Sequence, residues 1–353
     1  MIIRGRCVIH LPFRAYGQEQ WLPACYNRGE VMNVYSLNDR ILGCLIGAGA
    51  GDAMGAATES RTTEQILQYF GHKVTDFEVT PMDTFAKGNQ PGQATDDFSS
   101  AYFITRHIID HDGEITSEVV KEALIDWSEH PIFFEEVFVM KMTEETLNPM
   151  LIIDIGRARR LKGEEIPESD AIQLLPRQAT NGAAMKIAPI GLFNPGNVDQ
   201  AIYDAAVVTM VTHDNYLAIS GGSAVAAAVA EAVTPDADVY SIIQAGIYGA
   251  KEGARIGREI GRDVAGPSVV KRIEMAVDIG LGKGTQEEKM VEIAERIGMG
   301  LHVAEAIPSA FGFFAAGSGN PMDAIIGAVN AGYDTDTVAT MAGAMAGAPA
   351  RTS

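Results

Sequence analysis

Apolar residues recur at helical spacing over most of the chain beyond residue 35, and strand-like alternation is scarce. Start signals support two of the helices, because Thr62 and Gln65 match a capping box and Asn320 precedes Pro321 at a first helical position. The pattern predicts helices at 36–55, 63–70, 97–110, 117–130, 144–161, 198–210, 216–233, 237–261, 267–279, 286–297, 303–315, 321–330 and 337–348. We therefore expect an all-α fold, an orthogonal multi-helix bundle.

Two segments depart from this helical pattern. Residues 1–31 lack clear periodicity, which predicts a peripheral extension over 1–35 followed by a single helical domain over 36–353. Residues 71–94 form the longest break, interrupted by several glycines and prolines. Long loops inside compact domains are often functional.

Glycine recurs at every fourth position of the first helix, at Gly43, Gly47, Gly51 and Gly55, which places the four on one helix face. Each interior glycine costs about 1 kcal/mol of helix propensity relative to alanine. The run therefore predicts close helix packing, with proximity to a ligand as a secondary role. The same segment does not supply a dinucleotide fingerprint, because the GxGxxG register meets Asp52 or Met54 at its last glycine, and the chain contains no P-loop motif.

The amino-acid composition indicates a globular protein and disfavours some classes of partner. The 353 residues are 47% hydrophobic and 21% charged, as in globular proteins, and the formal net charge is −19. Such an excess of carboxylates disfavours nucleic acid and anionic membranes as partners. The three cysteines fit neither a disulfide framework nor a zinc motif, and we recognise no export signal, so we expect a cytoplasmic protein.

Two acidic motifs carry the most chemical information. Thr95-Asp96-Asp97 follows the Gly/Pro loop and opens a helix, and Asp334-Thr335-Asp336-Thr337 opens the last helix. Taken singly, each motif fits an ordinary helix N-cap. Taken together, they offer the hard oxygen ligands that suit Mg²⁺ or Mn²⁺, provided that the two helix starts converge in space.

Three further segments could contribute to such a site. Glu59 follows the glycine helix and could act on a metal-bound water, although a lone carboxylate there is more often a surface residue. Asn181-Gly182-Ala183-Ala184-Met185 offers amides to a ligand or forms an ordinary turn. His213 precedes a helix, where a capping or core role is the alternative to ligand binding.

In chain order, Gly51-Asp52-Ala53-Met54-Gly55 with Glu59, Thr95-Asp96-Asp97, the segment at 181–185, Thr212-His213 and Asp334-Thr335-Asp336-Thr337 resemble the ADP-ribosylglycohydrolase family. The resemblance covers about residues 38 to 348. It implies an all-α bundle with a dinuclear Mg²⁺ or Mn²⁺ centre that hydrolyses the ribosyl glycosidic bond of ADP-ribose conjugates.

Carried over residue by residue, the resemblance implies a role for each motif. Glu59, Asp97 and Asp336 would be catalytic, with Glu59 beside the metal pair and Asp336 bridging it. The loop and the histidine would hold the ribosyl substrate. The implied metal ligands are Thr95, Asp96, Asp97, Asp334, Asp336 and Thr337, and the implied substrate contacts are Asn181, Gly182, Ala183, Met185 and His213. Lys186 departs from the family, in which arginine is common at this position.

Three alternatives stay open at this point. One is a hydrolase of a smaller N-riboside on the same scaffold. Another is a helical HD-type phosphohydrolase, suggested by His213-Asp214 together with His107 and His111. The third is a non-catalytic ADP-ribose-binding protein. The oligomeric state is not predicted by the sequence.

Overall fold

The computed structural model describes residues 35–130 and 179–348. Within these ranges every regular element is helical, and two isolated bridges, Thr180 to His302 and Asn215 to Arg262, are the only β pairings. A short 3₁₀ helix, Asn181–Ala183, lies between α4 and α5. The helices are α1 (Leu37–Gly55), α2 (Thr63–Phe70), α3 (Asp96–Asp110), α4 (Ser117–Glu129), α5 (Ala188–Phe193), α6 (Val198–Thr212), α7 (Tyr216–Ala232), α8 (Val239–Ile260), α9 (Val269–Leu281), α10 (Gln286–Arg296), α11 (Val303–Ala316), α12 (Pro321–Ala331) and α13 (Thr335–Gly347). The all-α prediction is confirmed.

Most predicted helices form within a few residues of their expected bounds. The Thr62 side chain accepts a hydrogen bond from the Gln65 amide, and Asn320 caps α12 ahead of Pro321, as predicted. The helix α5 was missed, because Pro189 and Gly191 break its pattern. The helix predicted at 144–161 and most of the extension predicted at 1–35 lie outside the described residues, so both stay predictions.

The two helices that carry the acidic motifs begin one or two residues earlier than the sequence predicts. Helix α3 begins at Asp96 rather than Asp97, because the Thr95 hydroxyl caps it by accepting a hydrogen bond from the Asp97 amide. Helix α13 begins at Thr335 rather than Thr337. As a result, Asp96, Asp97 and Asp336 all lie in first turns, at the positively polarised ends of their helices.

Helix α7 lies at the centre of the core. Nearly all of its residues are buried, and most are Ala, Gly, Ser or Val. One hydrophobic cluster joins α7 to α11, α12 and α13, and a second joins α3 and α4 to α5 and α6. Small side chains on α7 let its neighbours approach closely, so the core is built from tight helix contacts. No helix among the described residues is long and apolar enough to cross a membrane.

The glycine face of α1 packs directly against α13. A Cβ atom added at Gly47 would lie 2.1 Å from the carbonyl oxygen of Gly343, far inside van der Waals contact. The predicted packing role of these glycines is confirmed. The last of them, Gly55, lies beside Asp336. The facing pairs are Gly43 with Gly347, Gly47 with Gly343, Gly51 with Ala339 and Gly55 with Asp336.

We predict that Gly47→Ala destabilises the protein by about 3 kcal/mol or more, because the new methyl group must push α1 away from the backbone of α13. Gly49→Ala is the matched control on the same helix, since its Cβ would lie 3.4 Å from the ring of Phe98, which is side chain rather than backbone. The control should stay within about 1 kcal/mol of wild type, given the gain in helix propensity. Chemical denaturation followed by circular dichroism compares the two, and equal stabilities would contradict the packing role.

Candidate active site

Asp52 anchors the start of α3 to α1. This carboxylate is completely buried near the end of α1 and accepts hydrogen bonds from the Thr95 amide at 2.9 Å, the Thr95 hydroxyl at 2.5 Å and the Phe98 amide at 3.2 Å. The Thr95 hydroxyl in turn accepts from the amide of Asp97 at 3.3 Å. Asp52 therefore sets the position at which Asp96 and Asp97 enter the site.

A second set of contacts joins the end of α1 to the start of α13. The Thr335 hydroxyl donates to the carbonyl of Gly55 at 2.9 Å, and the Thr58 hydroxyl donates to the Thr335 oxygen at 3.0 Å. Next to them, the Ser60 amide donates to the Tyr333 carbonyl at 2.7 Å. These bonds hold the Glu59 turn beside Asp334 and Asp336.

Backbone geometry brings the second acidic motif into this junction. Gly332 has φ of +92° and Tyr333 has φ of +69°, so the chain turns sharply between α12 and α13. A Cβ atom at Gly332 would lie 2.4 Å from the carbonyl oxygen of Arg61, which accepts a hydrogen bond from the Tyr333 amide at 2.8 Å. Glycine is required at 332 both for its backbone angle and for this close approach.

The carboxylates of three segments meet at the junction of α1, α3 and α13. One oxygen each of Glu59, Asp334 and Asp336 lie within 4.8 Å of one another, a spacing that could hold a metal ion. Asp97 lies close enough to Asp336 for the two charges to affect each other strongly. The condition set by the sequence, that the two acidic helix starts converge, is met.

Burial and mutual repulsion make these carboxylates costly to ionise. Burial, followed by the charge of Asp336, raises the pKa of Asp52 to about 7. Burial, followed by the charges of Asp336, Asp96, Asp52 and Asp334, holds the pKa of Asp97 well above its usual range. The pKa of Asp336 is also held well above its usual range, by burial first and then by Asp334. A bound cation would oppose each of these shifts.

One buried oxygen at the site has no hydrogen-bond partner. The Oδ2 atom of Asp97 is inaccessible to solvent and unpaired, although buried polar atoms are nearly always satisfied. Asp97 is 2% exposed, and the strongest charges acting on it are all negative. Together with the cluster of oxygen donors, this atom fits a divalent cation of the hard, oxygen-binding class.

The loop at 181–183 contacts the acidic cluster through Asn181. The Asn181 side-chain amide donates to Oδ2 of Asp334, while the Asn181 backbone amide donates to the Leu301 carbonyl at 2.8 Å. The Asp334 amide donates to the Met299 carbonyl at 3.1 Å. One segment, 299–301, therefore positions both partners of the Asn181–Asp334 contact.

Thr337 completes this end of the site. Its backbone amide donates to Oδ1 of Asp336 at 2.9 Å, and its side chain forms a hydrogen bond with Asp334. Burial raises the pKa of Asp334, while the hydrogen bond from Asn181 opposes that rise. The Asp334 side chain is thus directed to Asn181 and Thr337, and makes no capping bond to an α13 amide.

His213 lies beside the 181–185 loop rather than in the carboxylate cluster. Its Nε2 is 2.7 Å from the Thr180 hydroxyl, and a Cβ atom added at Gly182 would lie 3.4 Å from its ring. Met185 approaches the same point, with its sulfur 3.9 Å from that Cβ position. His213 and the residues Asn181, Gly182, Ala183 and Met185 are all buried. The structure thus brings the five residues with an implied substrate role to one side of the acidic cluster.

The histidines that suggested an HD-type phosphohydrolase do not assemble into one site. His107 and His111 cluster with Glu122 of α4, apart from His213. Asp214 forms an ion pair with Arg262, with Nε and Oδ2 at 3.0 Å. Among the described residues, the groups with metal-binding spacing are therefore the carboxylate trio and this separate histidine cluster.

Sequence reasoning missed three positioning residues. Asp52 is the one charged residue within the small-residue stretch 47–56, and a charge in such a stretch is itself a signal. Arg61 is 8% exposed, donates to the Glu59 carbonyl at 3.4 Å and pairs with Asp83, so it fixes the Glu59 turn. Lys186 is 4% exposed and donates to the carbonyl of Gly182. The Arg61–Asp83 pair could not be predicted from a local pattern, because its two residues are 22 positions apart and only the fold brings them together.

Comparison with known proteins shows which family this chain is similar to. Residues 33–350 match the family model described as ADP-ribosylglycohydrolase. The chain is 26% identical over 320 residues to the uncharacterized protein YegU of Escherichia coli K12, covering 88% of this chain and 87% of that protein. It is 25% identical over 320 residues to an uncharacterized protein of Archaeoglobus fulgidus, covering 88% of each.

A solved structure has the same fold. A chain of an "ADP-ribosylglycohydrolase-related protein complex" aligns with a TM-score of 0.59 at 19% identity, covering 88% of this chain and 87% of that one. At this identity the likeness concerns the fold alone. The family match extends over nearly the whole chain and includes every element that builds the acidic site. The protein therefore belongs to the ADP-ribosylglycohydrolase family.

Proposed function

We propose that this protein is a metal-dependent hydrolase that cleaves the ribosyl glycosidic bond of ADP-ribose conjugates. Family membership supports the glycohydrolase class. The observation that carries the metal-dependent part is the convergence of buried, mutually repelling carboxylates around the unpaired Oδ2 of Asp97.

Two Mg²⁺ or Mn²⁺ ions are the proposed cofactors. Asp97 with Thr95 and Asp96 would hold one ion at the start of α3. Asp334 and Thr337 would hold the other at the start of α13, with Asp336 between them. When bound, such ions orient ribose hydroxyls and lower the pKa of a coordinated water.

The chain's own residues have separable tasks in this proposal. Glu59 is 8% exposed, lies beside Asp334 and Asp336, and would accept a proton from the attacking water. Asp52 and Asn181 would act by positioning, because each holds one acidic segment by direct hydrogen bonds. The carboxylates would also stabilise the positive charge that develops on the ribose ring as the glycosidic bond breaks.

The buried loop beside the cluster is the proposed substrate side. Asn181, Gly182, Ala183, Met185 and His213 would contact the ribosyl substrate through backbone groups and the imidazole. Lys186 donates to the Gly182 carbonyl, so it supports the loop from within. A compact lysine cannot grip a diphosphate in the bidentate way that arginine does, which keeps a smaller N-riboside as the second candidate substrate.

A substrate panel tests the activity. We expect the purified protein, with Mg²⁺ or Mn²⁺, to release ribosyl product from at least one of ADP-ribosylated arginine, serine-linked ADP-ribose, O-acetyl-ADP-ribose and a simple N-riboside, and to lose this activity in EDTA. Cleavage of the N-riboside alone would assign the smaller substrate. Phosphate release without glycosidic cleavage would favour a phosphohydrolase. Tight binding of ADP-ribose without turnover on any substrate would favour a binding protein.

We predict that Asp336→Asn lowers kcat/KM by at least about 100-fold and abolishes the rise in Tm that Mg²⁺ gives the wild type. In EDTA the same variant should be more stable than wild type, because the substitution removes a buried charge next to Asp97 and Asp334. Asp323→Asn is the matched control, since Asp323 is also an aspartate in a helix first turn but is exposed. An unchanged Mg²⁺ response in Asp336→Asn would contradict the metal assignment.

We predict that Glu59→Gln lowers kcat by about 10²- to 10⁴-fold while leaving the Mg²⁺-induced rise in Tm in place, because a proton acceptor is lost and the aspartates are retained. Glu64→Gln on the nearby helix α2 serves as the control, since Glu64 is exposed. Turnover assays and thermal melts are run on the same samples. Loss of the Mg²⁺ response together with activity would make Glu59 a metal ligand instead of the proton acceptor.

A further inference from the structure

A second group of metal-binding side chains lies at the other end of α3. His107 is in the last turn of this helix, and His111 is the residue that caps it. One ring nitrogen of each histidine and one carboxylate oxygen of Glu122 on α4 lie within 4.8 Å of one another. Unlike the catalytic cluster, this group is partly exposed and contains two imidazoles.

Hydrogen bonding fixes which nitrogen of His111 is available. Its Nδ1 lies 2.8 Å from the carbonyl oxygen of His107, and a carbonyl can only accept, so Nδ1 carries the proton. The Nε2 atom of a neutral His111 then carries the free lone pair, and it lies 3.4 Å from Oε2 of Glu122. A lone pair and a carboxylate oxygen repel each other at this distance, and a metal ion bound by both would remove that repulsion.

More negative charge surrounds the pair. Oδ2 of Asp126 lies 3.0 Å from Nε2 of His107, and Oδ1 of Asp126 lies 3.4 Å from Nδ1 of His130. The C-terminal end of α3 adds the partial negative charge of a helix terminus. Three imidazoles and two carboxylates thus meet at a place where the helix backbone also favours a cation.

The imidazole nitrogens of this cluster favour a different class of metal ion than the oxygen atoms of the acidic cluster. Imidazole nitrogens suit Zn²⁺, Ni²⁺ and Cu²⁺, and at nitrogen sites these ions bind more tightly than Mn²⁺. Mg²⁺ prefers sites made of oxygen atoms only. His107 lies 11 residues beyond Asp96, or about 16 Å along the helix, so one ion cannot serve both clusters.

We propose that His107, His111 and Glu122 form a transition-metal site, with Zn²⁺ as its occupant, that fastens α3 to α4. The two histidines are one turn apart on one face of α3, and Glu122 reaches them from the neighbouring helix, so a bound ion crosslinks the pair. The fourth coordination position is open to water or to Asp126. This site is independent of the proposed glycohydrolase activity.

Zinc titration of the full-length, tag-free protein tests the site. Calorimetry is performed with Mg²⁺ in excess, so that the oxygen cluster does not compete for zinc. We expect one Zn²⁺ per chain, a higher Tm with zinc, and an affinity at least about tenfold weaker in His107→Ala, His111→Ala and Glu122→Gln. Co²⁺ should give a visible d–d absorption spectrum that is displaced by Zn²⁺ and is absent in His111→Ala.

His72→Ala is the matched control. His72 is exposed and lies 3.7 Å from Glu78, so it has a carboxylate partner, but among the described residues it belongs to no group with metal-binding spacing, and its loss should leave zinc binding unchanged. Asp336→Asn should bind zinc as the wild type does, which separates the two clusters. Zinc affinity that is unaltered in both His107→Ala and His111→Ala, or no zinc binding by wild type, would overturn the proposal.

Discussion

Repulsion among buried carboxylates is the constraint on which the rest of this structure depends. Two like charges about 4 Å apart cost about 4 kcal/mol at an effective dielectric of 20, a sizeable part of the stability of a domain. Here Asp52, Asp97, Asp334 and Asp336 are all buried within mutual influence. A chain with this arrangement must hold its acidic segments together by other contacts, because the carboxylates themselves repel one another.

The glycine face of α1 supplies much of that restraint. With no side chains between them, α1 and α13 approach until backbone meets backbone, and the contact ends where Gly55 touches Asp336. The hydroxyl bonds of Thr335 and Thr58 then fix the two helix ends against each other. The contact between α1 and α13 therefore determines both the packing of the bundle and the geometry of the site. A side chain on this face would displace the second acidic motif as well as loosen the core.

The sequence predicts the fold and the candidate site on different grounds, and the fold is confirmed. Helical periodicity is local, so most helices could be predicted, including the capped starts at Thr62 and Asn320. The convergence of Asp97 with Asp336 could not be derived from spacing, and entered through the family resemblance. Residues whose role depends on a distant partner, such as Asp52 with Thr95 and Arg61 with Asp83, were not predicted as site residues. A short helix containing Pro189 and Gly191 was missed because tertiary packing, not propensity, stabilises it.

The two ends of helix α3 carry opposite partial charges and different side chains. Its positive end would by itself favour anions, yet the four carboxylates near Thr95 exceed what one helix terminus can offset, so the balance there calls for a hard cation. Its negative end carries imidazoles instead, which would hold a cation without adding further negative charge of their own. An ion bound at that end would fix α3 against α4 without contacting the acidic cluster. Asp97 and His107 are about 15 Å apart along the axis of this helix, so its two ends favour different classes of cation at separate places.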